Sequence, residues 1–229
     1  MKKYRRRVTA VCAAVLLALS LTACSSSDET KQAGNRNGNK NETSNVAAAD
    51  GKVLIAYFTA ADNSGVDAKA SASYSMVDGE AKGRLQAIAE MIQNTAGGEL
   101  FSIQTDVVYP ADGGELIDYA AKEQDEDARP ALTSQIADFE SYDTVFVGYP
   151  NWWGDMPQIL YSFFDEYDFA GKTIVPFNVH NGSRFSRTID TIQKLEPDAE
   201  IVTDGFTINE KDVPDAADEV AEWLSGLGY

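Results

Sequence analysis

The chain has 229 residues, with 36 Asp or Glu against 19 Lys or Arg and one histidine, a formal charge of −17 at pH 7. So acidic a body argues against nucleic acid and against lying flat on anionic lipid, since both present phosphates of the same sign. An acidic solvated surface that keeps the protein soluble accounts for the charge without any partner.

Residues 1–23 read as a targeting segment. Lys2, Lys3, Arg5, Arg6 and Arg7 form a positive start, and residues 8–21 supply an apolar stretch too short to persist as a membrane-spanning helix. Leu21-Thr22-Ala23-Cys24 then resembles a bacterial lipobox, whose cysteine is lipidated once the peptide ahead of it is removed. The alternative is an ordinary secretory peptide with a chance cysteine. The other cysteine, Cys12, lies in the discarded segment, so acylation of Cys24 leaves no thiol for disulfides, redox chemistry or nucleophilic attack. Residues 24–50 are therefore expected to be the lipidated cysteine and a disordered tether, rich in Ser, Asn, Lys and Gly and nearly devoid of apolar side chains. Cleavage leaves 14 of the basic residues and all 36 acids, a formal charge of −22.

Residues 51–229 suit one domain. Five apolar runs are expected as strands, at 53–58, 100–105, 144–149, 173–177 and 201–206, the second being weaker and alternating as an edge strand does. Helical patterns fall between them. Leu85, Ile88, Ala89 and Ile92 mark one face of a helix over 83–95, which Gly97-Gly98 ends. A short helix is expected over 134–140, longer ones over 156–167 and 184–195, and a last one from Pro214 to Leu224. Asp112, Asp118, Glu123, Asp125, Glu126 and Asp127 form an acidic insertion, read as a solvated helix face more than as a cation site. Strands alternating with helices imply parallel strands joined by right-handed crossovers, an α/β sandwich of three layers. No internal repeat is visible.

The stretch from Thr144 to Pro157 organises the domain. A buried strand runs into Pro150 and Asn151, then Trp152, Trp153 and Gly154, and then a helix. Loops at the carboxyl ends of parallel strands are where open sheets bind ligands, and aromatic faces there suit a flat conjugated one. The alternative is that both tryptophans only pack beneath a helix.

Three segments together resemble the flavodoxin-like domains of bacterial lipoproteins and secreted proteins. They are Val53-Leu-Ile-Ala-Tyr-Phe-Thr59, the more specific Gly148-Tyr-Pro-Asn-Trp-Trp-Gly154 with Met156-Pro157, and Phe169-Ala-Gly-Lys-Thr-Ile-Val-Pro-Phe177 running into His180-Asn-Gly-Ser183. The resemblance spans about residues 52–225. It implies a five-stranded parallel sheet in order 2-1-3-4-5 and flavin mononucleotide (FMN) held by the loops after the first, third and fourth strands. Trp152 and Trp153 would give the slot for the ring, Gly154 a close backbone approach, and Asn178, Asn181, Gly182 and Ser183 contacts to its edge. His180, the only histidine, is read as a site residue; nothing in the sequence completes a metal set with it.

The phosphate loop departs from the family pattern. A compact run of Ser, Thr and Gly normally joins the first strand to its helix; here Thr59 is followed by an insertion over 60–78. The loop is expected to close at Gly79-Glu80-Ala81-Lys82, where Glu80 sets a carboxylate beside the phosphate, Ala81 lacks a hydroxyl and Lys82 compensates in part. The other candidate phosphate site is Thr59, Asn63, Ser64 and Gly65. The insertion is read as a lid or substrate surface, or as a sign that flavin has been lost.

The leading expectation is a lipid-anchored protein, outside the membrane, that binds FMN and carries electrons to a redox partner or reduces a small acceptor, with no side chain needed as acid, base or nucleophile. Its rival is a flavin-free binding module that uses the aromatic cleft for another extracellular ligand. A hydrolase pairing Ser183 with His180 lacks the second glycine of a nucleophile elbow.

Overall fold

The computed structural model describes residues 51–63 and 73–229. The expected signal peptide, Cys24, the tether and residues 64–72 of the insertion lie outside the described residues.

The chain enters through β1 (Val53–Tyr57), whose residues are buried from Leu54 onward, and a short helix α1 (Ala60–Asn63) follows. A hairpin, β2 (Tyr74–Val77) and β3 (Glu80–Gly83), comes next and feeds directly into α2 (Arg84–Ala96). Leu85, Ile88, Ala89 and Ile92 are buried along one face of α2, as their spacing predicts. Gly97 at φ 73° and Gly98 at φ 96° stop the helix and turn the chain into β4 (Glu99–Ser102). The acidic insertion contains a helix, α3 (Gly113–Asp125), started by Asp112, whose Oδ1 accepts from the N–H groups of Gly114 (2.8 Å) and Glu115 (3.1 Å). Then come β5 (Thr144–Pro150), α4 (Gln158–Glu166), β6 (Thr173–His180), α5 (Thr188–Leu195), β7 (Glu200–Ile201), β8 (Phe206–Asn209) and α6 (Ala217–Leu227).

The main sheet is six-stranded and parallel in every described pairing, in the order β4-β1-β5-β6-β7 with β8 also on β6. This is 2-1-3-4-5 with the fifth strand broken in two. The expected strand over 201–206 therefore straddles the break: β7 pairs with Thr173 and Ile174, and β8 with Phe177 to His180. At the gap a Cβ on Gly205 would lie 2.3 Å from the carbonyl oxygen of Pro176. That carbonyl faces the fifth strand, so the proline nitrogen on the same side has no N–H to give the ladder.

Alternation along the strands builds two cores. Leu54 and Ala56 of β1, with Val145, Val147 and Tyr149 of β5, face Ile159, Leu160 and Phe163 of α4 and Ile192 of α5. Ile55, Tyr57 and Phe146 face Ile88 and Ile92 of α2 and Val220 and Leu224 of α6. Helices thus cover both faces of the sheet, the expected three layers.

Three expected helices are corrected. Over 134–140 there is only a 3-10 turn, Phe139–Ser141. The helix expected from 184 starts at Thr188, because Arg184 (φ 51°) and Ser186 (φ 50°) are in left-handed backbone. Pro214 belongs to a 3-10 turn, Val213–Asp215, and α6 begins after it. Among the described residues no helix is long and apolar enough to cross a membrane.

Candidate functional site

The carboxyl ends of β1, β5, β6 and β8 open on a cleft of about 430 Å³. Thr59 and Ala60 follow β1; Pro150, Asn151, Trp152 and Trp153 end β5; Val179, His180 and Asn181 end β6; Glu210 follows β8. Ser73, Arg84 and Leu85 close one side, and Gly113, Leu116, Ile117 and Ala120 of α3 the other. β1 lies between β4 and β5, the point where strand order reverses and open α/β sheets leave a crevice. The volume is that of a small-molecule site.

The aromatic loop is a tight reversal. Trp152 and Asp155 exchange backbone hydrogen bonds at 2.9 and 3.0 Å, and the two residues between them, Trp153 (φ 55°) and Gly154 (φ 76°), are both left-handed. Asn151 secures the turn: its Oδ1 accepts from Gly154 N–H (3.0 Å) and its Nδ2 donates to Arg184 O (2.7 Å). The tryptophans consequently diverge. Trp152 turns inward, edge-on to Phe58 (5.7 Å) and Tyr109 (5.6 Å), and shows the cleft only part of its ring. Trp153 is 58% exposed and stands at the mouth, with Nε1–H donating to Ile117 O at 2.9 Å. Both tryptophans thus line the cleft, Trp153 at its mouth with the apolar face of α3 and Trp152 in part. Gly154 does not line the cleft, and its N–H is taken by Asn151.

The loop after β6 divides in the same way. His180 is buried and lines the cleft; its Nδ1 accepts from Gly182 N–H (2.8 Å), so the ring proton sits on Nε2. Burial, reinforced by the Arg184 charge, holds this imidazole below its usual pKa and hence neutral at pH 7. Asn181 also lines the cleft. Asn178 does not: it is buried beneath, bonded to Arg184 O (2.9 Å) and Thr207 Oγ1 (2.6 Å). Gly182 (φ 100°) and Ser183 are exposed and outside the lining, and Gly182 serves by pinning His180.

The expected phosphate loop at 79–82 is elsewhere. Asp78 (φ 51°) and Gly79 (φ 83°) are the two-residue turn of the hairpin, with Val77 paired to Glu80. Glu80 is exposed, and Lys82 Nζ is tied to Glu90 Oε2 at 2.7 Å. None of these four positions lines the cleft. The hairpin instead returns the chain to Thr59. A Cβ on Gly83 would lie 2.9 Å from Thr59 Oγ1, so only glycine lets the start of α2 close against the end of β1. The strand-to-helix junction is restored by this contact. Its lining residues are Thr59, Ser73, Arg84 and Leu85.

Sequence reading missed Ser73, Arg84, Glu210 and the α3 wall. Asp78-Gly79 between two strand-like runs is a hairpin signal, and it would have put the helix start at Arg84. Asp112, two glycines and then Leu116 and Ala120 signal α3. Nothing local marks Glu210. Among the described residues no cluster of three His, Cys, Asp or Glu could hold a metal ion.

An FMN-like ligand fits these residues at both ends. Apolar surface and a neutral imidazole suit a ring and its polar edge. At the other end the Ser73 hydroxyl is buried with no hydrogen-bond partner among the described residues, and Arg84 lines the same cleft.

Comparison with known proteins agrees with this geometry. No curated protein matches. A protein of Bacteroides uniformis ATCC 8492 assigned as a flavoprotein is 25% identical, with TM-score 0.58, covering 76% of this chain and 98% of that one. One from Bacteroides eggerthii DSM 20697, assigned likewise, is 26% identical with TM-score 0.54, over 75% and 99%. A flavoprotein of Lactobacillus acidophilus NCFM, solved in complex with FMN, shares the fold at 16% identity and TM-score 0.51, over 72% and 97%. The model of the family Flavodoxin_4, described as flavodoxin, matches residues 77–227, from the hairpin turn to the end of α6. With the sheet order, the switch-point cleft and this match in hand, the chain belongs to the flavodoxin family.

Proposed function

We propose that this chain binds FMN non-covalently in the switch-point cleft, carries electrons to a redox partner or reduces a small acceptor, and is held outside the membrane by a lipid on Cys24. The observation that carries the flavin reading is the cleft's polarity. One end is walled by Trp153 and α3, and the other gathers Thr59, Ser73 and Arg84. The FMN complex of the Lactobacillus flavoprotein, which has the same fold, is in keeping with it.

Bound there, a flavin supplies the electron chemistry. The chain's own part is positioning and electrostatics. Trp153 and the α3 face exclude water from one side of the ring. His180, kept neutral with its proton on Nε2, offers a donor and adds no positive charge beside the ring. Asn181 can give or accept hydrogen bonds at the same edge.

The test is a titration of the full chain with FMN, following tryptophan emission. Trp152 and Trp153 line the cleft and Trp223 lies on α6, so binding is expected to quench a large part of the signal. A chain that is colourless once free FMN is removed, and whose emission falls no more than that of free tryptophan at the same FMN concentration, would instead be the flavin-free module.

A further inference from the structure

The cleft carries an anion of its own. Glu210 Oε2 lies 3.0 Å from Arg84 Nη1, with the two side chains 29% and 15% exposed. Both residues are fixed by their backbones. Arg84 opens α2, and its Nε donates to Ser75 Oγ of the hairpin at 3.2 Å. Glu210 continues β8, its N–H donating to His180 O at 2.8 Å. Arg84 is the one permanently charged cation among the described residues lining the cleft, and Lys82 nearby is committed to Glu90. As described, then, the charge at this end is neutralised by an internal carboxylate.

Two routes exist for a phosphate. If it sits away from Arg84, the cleft offers it hydroxyls and no net positive charge. If it reaches Arg84, it meets the Glu210 carboxylate as a like charge across a few ångströms, unless that carboxylate leaves. Glu210 can leave: it is the more exposed partner, and water can solvate its carboxylate once it swings out. Arg84 stays, half-buried and anchored to the hairpin. Guanidinium binds phosphate through paired N–H donors, as it does carboxylate, so the exchange conserves its hydrogen bonding.

Building on the flavin reading above, we propose that Arg84 is the phosphate receptor and that Glu210 is a resident counter-anion which the phosphate displaces. Glu210 thereby limits how strongly the chain prefers phosphorylated over unphosphorylated flavin. This places the discrimination in an ion pair between α2 and the end of β8, not in the hairpin residues Glu80 and Lys82.

The experiment titrates the full chain, wild type, Glu210→Gln and Arg84→Gln, with FMN and with riboflavin, and follows heat denaturation with and without inorganic phosphate. Glu210→Gln is expected to tighten FMN by about tenfold and leave riboflavin unchanged, the scale of one removed like charge in a half-wet site. Arg84→Gln is expected to weaken FMN by about tenfold with riboflavin again unchanged. Phosphate should raise the melting temperature of Glu210→Gln more than that of wild type, and that of Arg84→Gln least. An unaltered FMN-to-riboflavin ratio in Glu210→Gln overturns the proposal, and so does equal weakening of both ligands in Arg84→Gln. If wild type binds neither flavin, the flavin reading fails on its own, and the phosphate melts still decide whether Arg84 receives an anion that Glu210 blocks. Should Arg84→Gln fold poorly, Glu210→Gln alone decides.

Discussion

At the scale of single residues, the two adjacent tryptophans do different work because one turn sends them apart. Trp152 is wedged against Phe58 and Tyr109, so Trp152→Ala is expected to lower stability by about 2–4 kcal/mol, read from chemical denaturation. Trp153→Ala should change stability by no more than about 0.5 kcal/mol, since that ring is largely exposed, yet cost about 1–3 kcal/mol of flavin affinity through lost stacking. Equal effects of both substitutions on affinity, with equal losses of stability, would contradict the divided roles. Asn151, Asn178 and Gly182 show a related division. Asn178 and Gly182 are at the site in sequence but hold other residues of it in place from outside the cleft lining, while Asn151 lines the cleft and secures the turn at once.

At the scale of elements, the hairpin β2–β3 lets the family's strand-to-helix junction survive an insertion. Its ends meet where Gly83 touches Thr59, and Gly83→Ala would drive a Cβ to within 2.9 Å of that side chain. The expected outcome is a small loss of stability and a larger loss of FMN affinity, because Thr59 and the start of α2 must separate; titration and melting of the same variant check both. Gly148 is the contrasting case, buried in β5 with no role in the cleft. A Cβ there would fall 2.1 Å from Phe177 Cζ, an overlap that the packed sheet cannot relax. Gly148→Ala is expected to destabilise by about 3 kcal/mol or more, visible as a lowered denaturation midpoint.

At the scale of the molecule, buried carboxyls set the response to pH. Glu123 of α3 is buried below Tyr109, and that burial pushes its pKa from 4.5 up to about 7. Glu196 is likewise raised to about 7, first by burial and then by Asp168, Asp165 and Asp198. Between about pH 4.5 and about pH 7 the unfolded chain has released protons that the folded chain keeps. These two groups therefore stabilise the fold fully below 4.5 and lose that contribution as pH rises through 7. His180, lowered by burial, acts in the opposite sense, and its contribution is lost as pH falls below its unfolded value of 6.5. Glu123→Gln is expected to flatten the decline in melting temperature between pH 5 and pH 8 and to stabilise the protein at pH 8 by about 1–3 kcal/mol. An unchanged profile would mean the carboxyl finds water in solution. The proposed anchor would also be a property of the whole chain. If a lipid on Cys24 holds it, Cys24→Ser should free the protein from membranes, and sedimentation after a high-salt wash would show otherwise.

The sequence by itself determined the alternation of strands and helices, and hence the layers, because these are written in local periodicity; the strand order was implied only by the resemblance of three segments to flavodoxin-like domains. Val53 to Tyr57 and Val145 to Tyr149 are apolar runs, as strands covered on both sides must be, and Leu85, Ile88 and Ile92 repeat as one helix face. Of the residues it singled out at the ends of β5 and β6, Pro150, Asn151, Trp152, Trp153, His180 and Asn181 reach the cleft. What it misplaced were features that depend on how distant segments meet. Gly79 to Lys82 were assigned to a phosphate because they lie just ahead of a helix, whereas pairing with β2 makes them a hairpin. Arg84 and Glu210 are 126 residues apart and share an ion pair only because α2 and the end of β8 converge on one cleft. Periodicity reports which face of an element is buried. It carries nothing about which side chains from separate elements arrive at one point, and only the tertiary structure decided that.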